Sequence, residues 1–458
     1  MLLHGPSENI TKFLNGWKFD PLVIMPIFFI VFIFFVLSYD PQTLVAGVAM
    51  LVVFSPFWLP VFLTVIFIIS WVDYIRFMFW FSRKTILLEI QLPQEVTKSP
   101  AAMETFLATL QNAGGETTFI ARVWKGSYRP IWSLEIASNE GRLGFYMHIP
   151  LDFRSIVEAR LYGQFPEAKI VEVDDYVARI PFNLDEYDIF GSEYQKNSPE
   201  AVPIRTYVDW KMDKDPKEEY KIDPLAQVLE LLAQVGKGEY FWLQIILKAR
   251  KNQSEWYGFI NSKKDHFNEA TQKEIGKLIE GAAKRAGQFV EDPVAKKQIA
   301  ARGLTLLSEG EKRRVEAIER SKSKFLFECG IRTVYLAKKE YYHGINAGAI
   351  IRFFDTFRGQ YGTQEYNSLG VTRGTVIFDY PWQDFMSIRK KILQKNLFFQ
   401  YKNRAYFYVP YDQQGTILNT EEIATLWHFP SSGVQTPGLN RLPSRRAEAP
   451  INLPTGEL

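Results

Sequence analysis

Two long apolar runs open the chain. Pro21 to Ser38 (PLVIMPIFFIVFIFFVLS) and Pro41 to Val72 hold no charged side chain, and each reaches the roughly 20 residues that a helix needs to cross hydrocarbon. The junction SYDPQ lacks the small residues of a cleavage site and more apolar sequence comes after it, so a two-span hairpin over residues 1–83 is predicted rather than a signal peptide. Pro56 and Pro60 should kink or break the second run. Trp17, Tyr39, Trp71, Tyr74 and Trp80 fall near the run ends, where amphipathic rings sit at headgroup level. Lys12 and Lys18 precede the first span, Arg76, Arg83 and Lys84 follow the second, and only Asp40 lies between. The bias of basic residues then predicts cytoplasmic termini and a cytoplasmic soluble part on the inner membrane.

After Lys84 the pattern changes to alternation. Thr85 to Leu92 reads as a strand, and Ser99 to Ala113 as a helix with Ser99 as N-cap, Pro100 in its first turn and Gly114 as its stop. Trp132 to Ala137 and Leu143 to Ile149 form a hairpin around Ser138-Asn139-Glu140-Gly141, Asp152 caps a helix to Leu161, and Lys169 to Val173 returns as a strand. That order, strand-helix-strand-strand-helix-strand, predicts a ferredoxin-like (split βαβ) domain over residues 84–180. A second pass over 203–380 repeats it: strand Pro203 to Lys211, helix after Asp223-Pro224, strands Tyr240 to Ala249 and Lys324 to Lys338, helix Asn346 to Phe357, strand Gly374 to Phe378. A charged, helical insertion occupies about 250–323. Residues 381–458 form a helix (Gln383 to Gln394), an aromatic strand (Ala405 to Val409) and an extended, proline-punctuated tail. The expected class is α+β: a transmembrane helical hairpin, two ferredoxin-like domains and the tail.

Composition narrows the chemistry. The 54 basic and 51 acidic side chains leave a net charge of +3, too little for a generic polyanion binder. A single cysteine, Cys329, excludes an internal disulfide or a multi-cysteine zinc site, and the five histidines are scattered. No GxxxxGK[ST] loop occurs to cradle phosphates, so no catalytic, cofactor or metal residue is assigned and the chain is expected not to be an enzyme. Asp174-Asp175 with Glu172 reads as a solvated strand end, and His343 as a loop residue without a nucleophile beside it.

The insertion differs from the rest. Lys248 to Lys324 carries 18 basic and 11 acidic residues. Lys263, Lys264, Lys284, Arg285, Lys312, Arg313 and Arg314 are candidates for binding nucleic acid or anionic lipid. The competing reading is a solvated helix laced with pairs such as Glu309 with Arg313 and Glu316 with Arg320. Further on, Ile423, Leu426, Trp427 and Phe429 lie on a short helix after Thr420, and Pro430, Pro437, Pro443, Pro450 and Pro454 keep the C-terminal residues extended. Glu421 to Leu458 is therefore a candidate strap for docking a partner.

The stretches DYPWQDF (Asp379 to Phe385), AYFYVPYD (Ala405 to Asp412), LNTEEIATLWHFP (Leu418 to Pro430), VQTPGL (Val434 to Leu439) and RRAEAPINLPTGEL (Arg445 to Leu458) are specific in a way the patterns above are not. Together they resemble the region ahead of the motor domain in conjugation-type (VirB/TraG-like) ATPases of type IV secretion. Leu88 to Glu116 is similar to the start of the soluble region in the same group. The resemblance implies a membrane-anchored, non-catalytic component that recruits or scaffolds a motor ATPase. It places a RecA-like motor where this chain stops, on a separate polypeptide or as the continuation of a truncated product. The expected partners are the lipid bilayer, that motor and further copies of the chain. The rival expectation is a membrane-tethered nucleic-acid-binding module acting through the basic insertion.

Overall fold

The computed structural model describes residues 41–93, 98–111, 118–197, 199–214, 222–250, 255–257, 260–262, 266–287, 303–358, 365–374, 382–408, 415–430 and 438–442, with Val31, Val96, Tyr411 and Gln413. The first apolar run lies outside them, Val31 apart. The second forms α1 (Pro41–Val53) and α2 (Ser55–Ser82), interrupted at Phe54. The break therefore precedes the prolines. Pro56 sits in the first turn of α2, where an N–H would have no partner anyway. Pro60 costs one backbone bond, and the Thr64 hydroxyl bonds its carbonyl at 2.7 Å. At 1.5 Å per residue α2 is about 42 Å long. It is the one helix among the described residues long and apolar enough to cross a membrane.

From Thr85 the chain builds β1 (Thr85–Gln91), α3 (Pro100–Thr109), the short α4 (Phe119–Val123), β2 (Ile131–Asn139), β3 (Arg142–Pro150), α5 (Arg154–Gln164) and β4 (Lys169–Val173). Next come β5 (Tyr187–Lys196), α6 (Pro224–Ala233), β6 (Glu239–Ala249) and the insertion, which holds a small hairpin of β7 (Glu255–Tyr257) and β8 (Ile260–Ser262), then α7 (His266–Gly287) and α8 (Glu309–Lys322). The remainder is β9 (Leu326–Lys338), α9 (Gly344–Ile351), β10 (Leu369–Gly374), α10 (Ile388–Lys402), β11 (Thr416–Asn419) and α11 (Thr420–Leu426).

Two separate domains were the expectation. Instead nine strands form a single antiparallel sheet in the order β10-β5-β9-β6-β2-β3-β1-β4, with β11 on the remaining length of β9. Within each half the spatial order is the same: fourth strand, first, third, second. The halves join through β2 and β6, whose register centres on Glu135 opposite Gln244. The physical reason lies in these two strands. Both are buried along nearly their whole length, so each alone would be a long apolar edge open to further pairing.

Other corrections are local. The expected strand Pro203 to Lys211 is a run of turns in which Asp209 accepts from the Thr206 amide and hydroxyl, both at 3.0 Å. The first strand of the second half is β5, which begins in the stretch between the two expected domains, and the last is β10, five residues ahead of its expected start. Residues 375–378 of that expected strand lie outside the described set.

One face of the sheet carries α3, α5, α6, α9 and α11 over a core of Leu88, Phe145, Leu134, Leu243, Ile331 and Trp427. The other face is covered by α10 and the 174–184 segment, with Tyr176, Leu397, Phe398 and Tyr401 on Trp242, Val334 and Ile189. The anchor joins at the end of the sheet where Thr85 faces Pro150, and the insertion leaves from that same end, after Ala249 opposite Phe327. Residues 438–442 lie at the opposite end, Leu439 bridging Leu143 and Arg441 bridging Leu92.

Candidate functional site

The insertion helices owe their placement to local chemistry. Ser308 and Glu311 form a reciprocal capping box at the start of α8. Arg285, in the last turn of α7, holds Glu311 at 2.6 and 2.7 Å, and Arg314 reaches Glu274 at 2.8 Å with both side chains about nine-tenths buried. Lys312 pairs with Glu309 at 2.7 Å. Of the residues expected to meet polyanions, Arg285, Lys312 and Arg314 thus pair with carboxylates of the insertion itself. Lys284 is exposed. Lys263 and Lys264 lie outside the described residues.

Arg313 stands apart. It is 63% exposed, 3.9 Å from Glu365, and lines an open cleft of about 570 Å³ between α8 and the 205–214 turns. Arg205, Lys211, Lys214, Arg320, Asp209, Glu316, Glu365 and Tyr366 complete the polar wall. Arg320 is held by Asp209 at 2.8 Å and by Glu421 at 3.0 Å, so its charge is already compensated. Arg205 sits over the Trp210 ring, its guanidinium carbon 3.6 Å from the centroid. Lys211 takes a left-handed backbone, φ 58°, which turns the loop at the cleft rim. Against two remaining carboxylates the cleft offers four cations, Arg205, Lys211, Lys214 and Arg313. Such a wall can hold phosphate or carboxylate groups by charge-assisted hydrogen bonds. The 205–214 half of it carried no motif signal in the sequence, where its alternation reads as a strand; turns, not a strand, bring its cations together.

The residues expected to dock a partner are placed differently. Asn419 caps α11 with Glu422 as the reciprocal member, and α11 fills a slot beside α3. Ile423, Leu426, Trp427 and Phe429 are at most 3% exposed. Trp427 and Phe429 pack edge-on against Phe145 at 5.9 and 5.6 Å, and Phe429 against Phe165 at 4.7 Å. Trp427 Nε1 donates to the Glu135 carbonyl at 3.3 Å. These four side chains plug the chain's own core rather than presenting a docking surface. Residues 431–437 and 443–458 of the expected strap lie outside the described residues.

A buried polar network occupies the opposite face, and sequence reasoning passed over it. Glu135, fully buried at the centre of β2, receives Arg404 Nε at 3.0 Å and Nη2 at 3.1 Å, the Ser133 hydroxyl at 2.6 Å, the Tyr176 hydroxyl at 2.7 Å and Gln244 Nε2 at 3.0 Å. Burial alone would raise the Glu135 carboxyl; Arg404, Ser133 and Tyr176 outweigh it and hold the pKa below the ordinary value. Tyr176 and Tyr401, 2.7 Å apart at their hydroxyls, are pushed well above the normal phenol range by burial and by Glu135. Burial and the Arg404 charge push His148 down to about 3, keeping that imidazole neutral.

Asp175 also pairs with Arg404, at 3.1 Å on its second oxygen. Of the two aspartates read as a solvated strand end, only Asp174 is one, at 93% side-chain exposure. Nearby, Arg332 holds Glu193 at 2.9 Å and the Ala405 carbonyl at 2.9 Å. The network thereby clamps residues 401–405, the C-terminal end of α10 and the turn after it, onto the sheet. The signal available in the sequence was Ser133 and Glu135 alternating with Leu134 and Ile136. Among the described residues no group of three or more His, Cys, Asp or Glu side chains is assembled that could hold a metal. Neither a family model nor a curated protein matches the chain.

Proposed function

We propose that this chain is a membrane-anchored, non-catalytic platform of a type IV secretion-like translocation apparatus, facing the cytoplasm and recruiting a motor ATPase. One observation carries the reading: the membrane-length helix enters the sheet at Thr85, and residues 438–442 lie at the other end, across seven residues of β1, about 23 Å of extended chain. A bilayer at one end and a partner at the other is the geometry of a spacer. The two halves are read as a duplicated ferredoxin-like unit, on the repeated fourth-first-third-second strand order. Basic flanks at Lys12, Lys18, Arg76, Arg83 and Lys84 support the cytoplasmic side. The cleft supports a second, subsidiary role, the binding of a polyanion such as nucleic acid, through its four cations.

The test is deletion of residues 443–458, then co-purification with the motor ATPase from detergent extracts. Loss of the motor with unchanged membrane insertion and unfolding is expected. Undiminished recovery would remove the docking role.

A further inference from the structure

Between Ser55 and Trp71 the helix α2 carries no charge, and its first charged residues are Asp73 and Arg76. Those 17 residues rise about 26 Å, close to the hydrocarbon thickness of a bilayer. Trp71 then falls at the boundary, the level at which indole rings settle. At that level the soluble part returns to the helix. Trp71 Nε1 donates to the Val123 carbonyl at 3.1 Å, and its ring meets Trp124 edge-on at 5.9 Å. Gly126 fixes the approach: it adopts φ +62°, and a side chain there would stand 2.4 Å from the Ile75 carbonyl oxygen. Only glycine lets the loop lie against the helix backbone.

The segment so positioned is short and apolar. Thr118 caps α4 by accepting from the Ala121 amide. Phe119, Ile120 and Trp124 are 45, 60 and 63% exposed, and the neighbouring Lys125 is exposed as well. Three large apolar side chains within six residues, joined to α2 through the Trp71–Trp124 contact, form a patch that water covers poorly. Apolar rings with a cation beside them suit the boundary between acyl chains and anionic headgroups.

We infer that residues 118–125 are a second membrane contact, lying in the bilayer interface beside α2 and fixing the tilt of the sheet against the membrane. This rests on α2 spanning the bilayer. With two contacts the sheet cannot swing about a single helix. The insertion, which leaves from the anchor end of the sheet, is then held on the membrane side.

The test uses the full chain in mixed phosphatidylcholine–phosphatidylglycerol vesicles. Cys329 is fully buried, so a nitroxide reagent reports an introduced cysteine. Ile120→Cys is the probe, Phe119→Cys a second one should the first misfold, Val65→Cys marks the helix interior and Lys284→Cys the aqueous reference. Collisions with oxygen should exceed those with a water-soluble nickel chelate at 120 and 119, more so at 65, with the reverse at 284. Chelate-dominated labels at 120 and 119 with a lipid-dominated label at 65 would overturn the inference alone. Chelate-dominated labels at 65 and 120 together would overturn the membrane-spanning reading of α2 with it.

Discussion

Replacing Arg404 with methionine keeps most of the volume and removes the cation paired with Glu135 in the buried network. Glu135 has no solvent exposure and Arg404 has 2%. Two charge-assisted bonds, at 3.0 and 3.1 Å, are lost along with the pair to Asp175. At 3 Å and an effective dielectric of about 20 the attraction is about 5.5 kcal/mol. Stranding a buried carboxylate in this way costs about 3–5 kcal/mol. Urea unfolding in detergent micelles, monitored by tryptophan fluorescence, should report that loss, since Trp242 stacks on Tyr401 at 5.0 Å within the same cluster. Adding Glu135→Gln removes the stranded charge, so the double variant should be at least about 1 kcal/mol more stable than Arg404→Met alone.

The pH dependence has a definite sign. In the native chain the Glu135 pKa is depressed, so its contribution is present above the unfolded value and fades as pH falls below it. Without Arg404 the burial effect dominates and the carboxyl rises. Mild acid then protonates it, and the deficit against the native chain should shrink from pH 7 toward pH 5. A loss below about 1 kcal/mol, or strict additivity of the two substitutions, would refute the assignment of this network as the clamp.

Trp427→Ala should cost about 3–5 kcal/mol in the isolated chain, because the indole is fully buried against Phe145 and Phe429; unchanged stability with lost motor binding would return Trp427 to a docking role. Replacing Arg205, Lys211, Lys214 and Arg313 with Gln should flatten the log-log salt dependence of duplex DNA binding by up to about 3.6, at about 0.9 per phosphate contact. The same change at Arg285 and Lys312 should matter less, since both are paired internally. An unaltered slope in the cleft variant excludes the cleft.

Several features were legible without a structure because they depend on neighbours along the chain. The apolar length of α2, Asp223 capping α6 from its side chain and the β2–β3 hairpin all arise from local spacing. β5 was missed because Asp188, Gly191 and Glu193 interrupt its apolar rhythm, whereas its partner β9 supplies the burial that makes it a strand. The fusion of two expected domains into one sheet depended on how β2 and β6 would cover their edges, a matter of pairing between residues about 110 positions apart.

Burial drew the remaining distinctions. The same apolar side chains of α11 could serve a partner or the chain's own core, and only the vacant slot beside α3 and Phe145 decided for the core. Charge was ambiguous for a related reason. Arg285, Arg313 and Arg314 look alike in sequence, yet packing gives two of them carboxylate partners within 3 Å and leaves the third at the rim of an open cleft. Local patterns determined where the chain turns apolar and where its helices and first hairpin begin; the tertiary structure decided which faces meet and which polar stretches become strands, because long-range contacts satisfy or strand the same side chains.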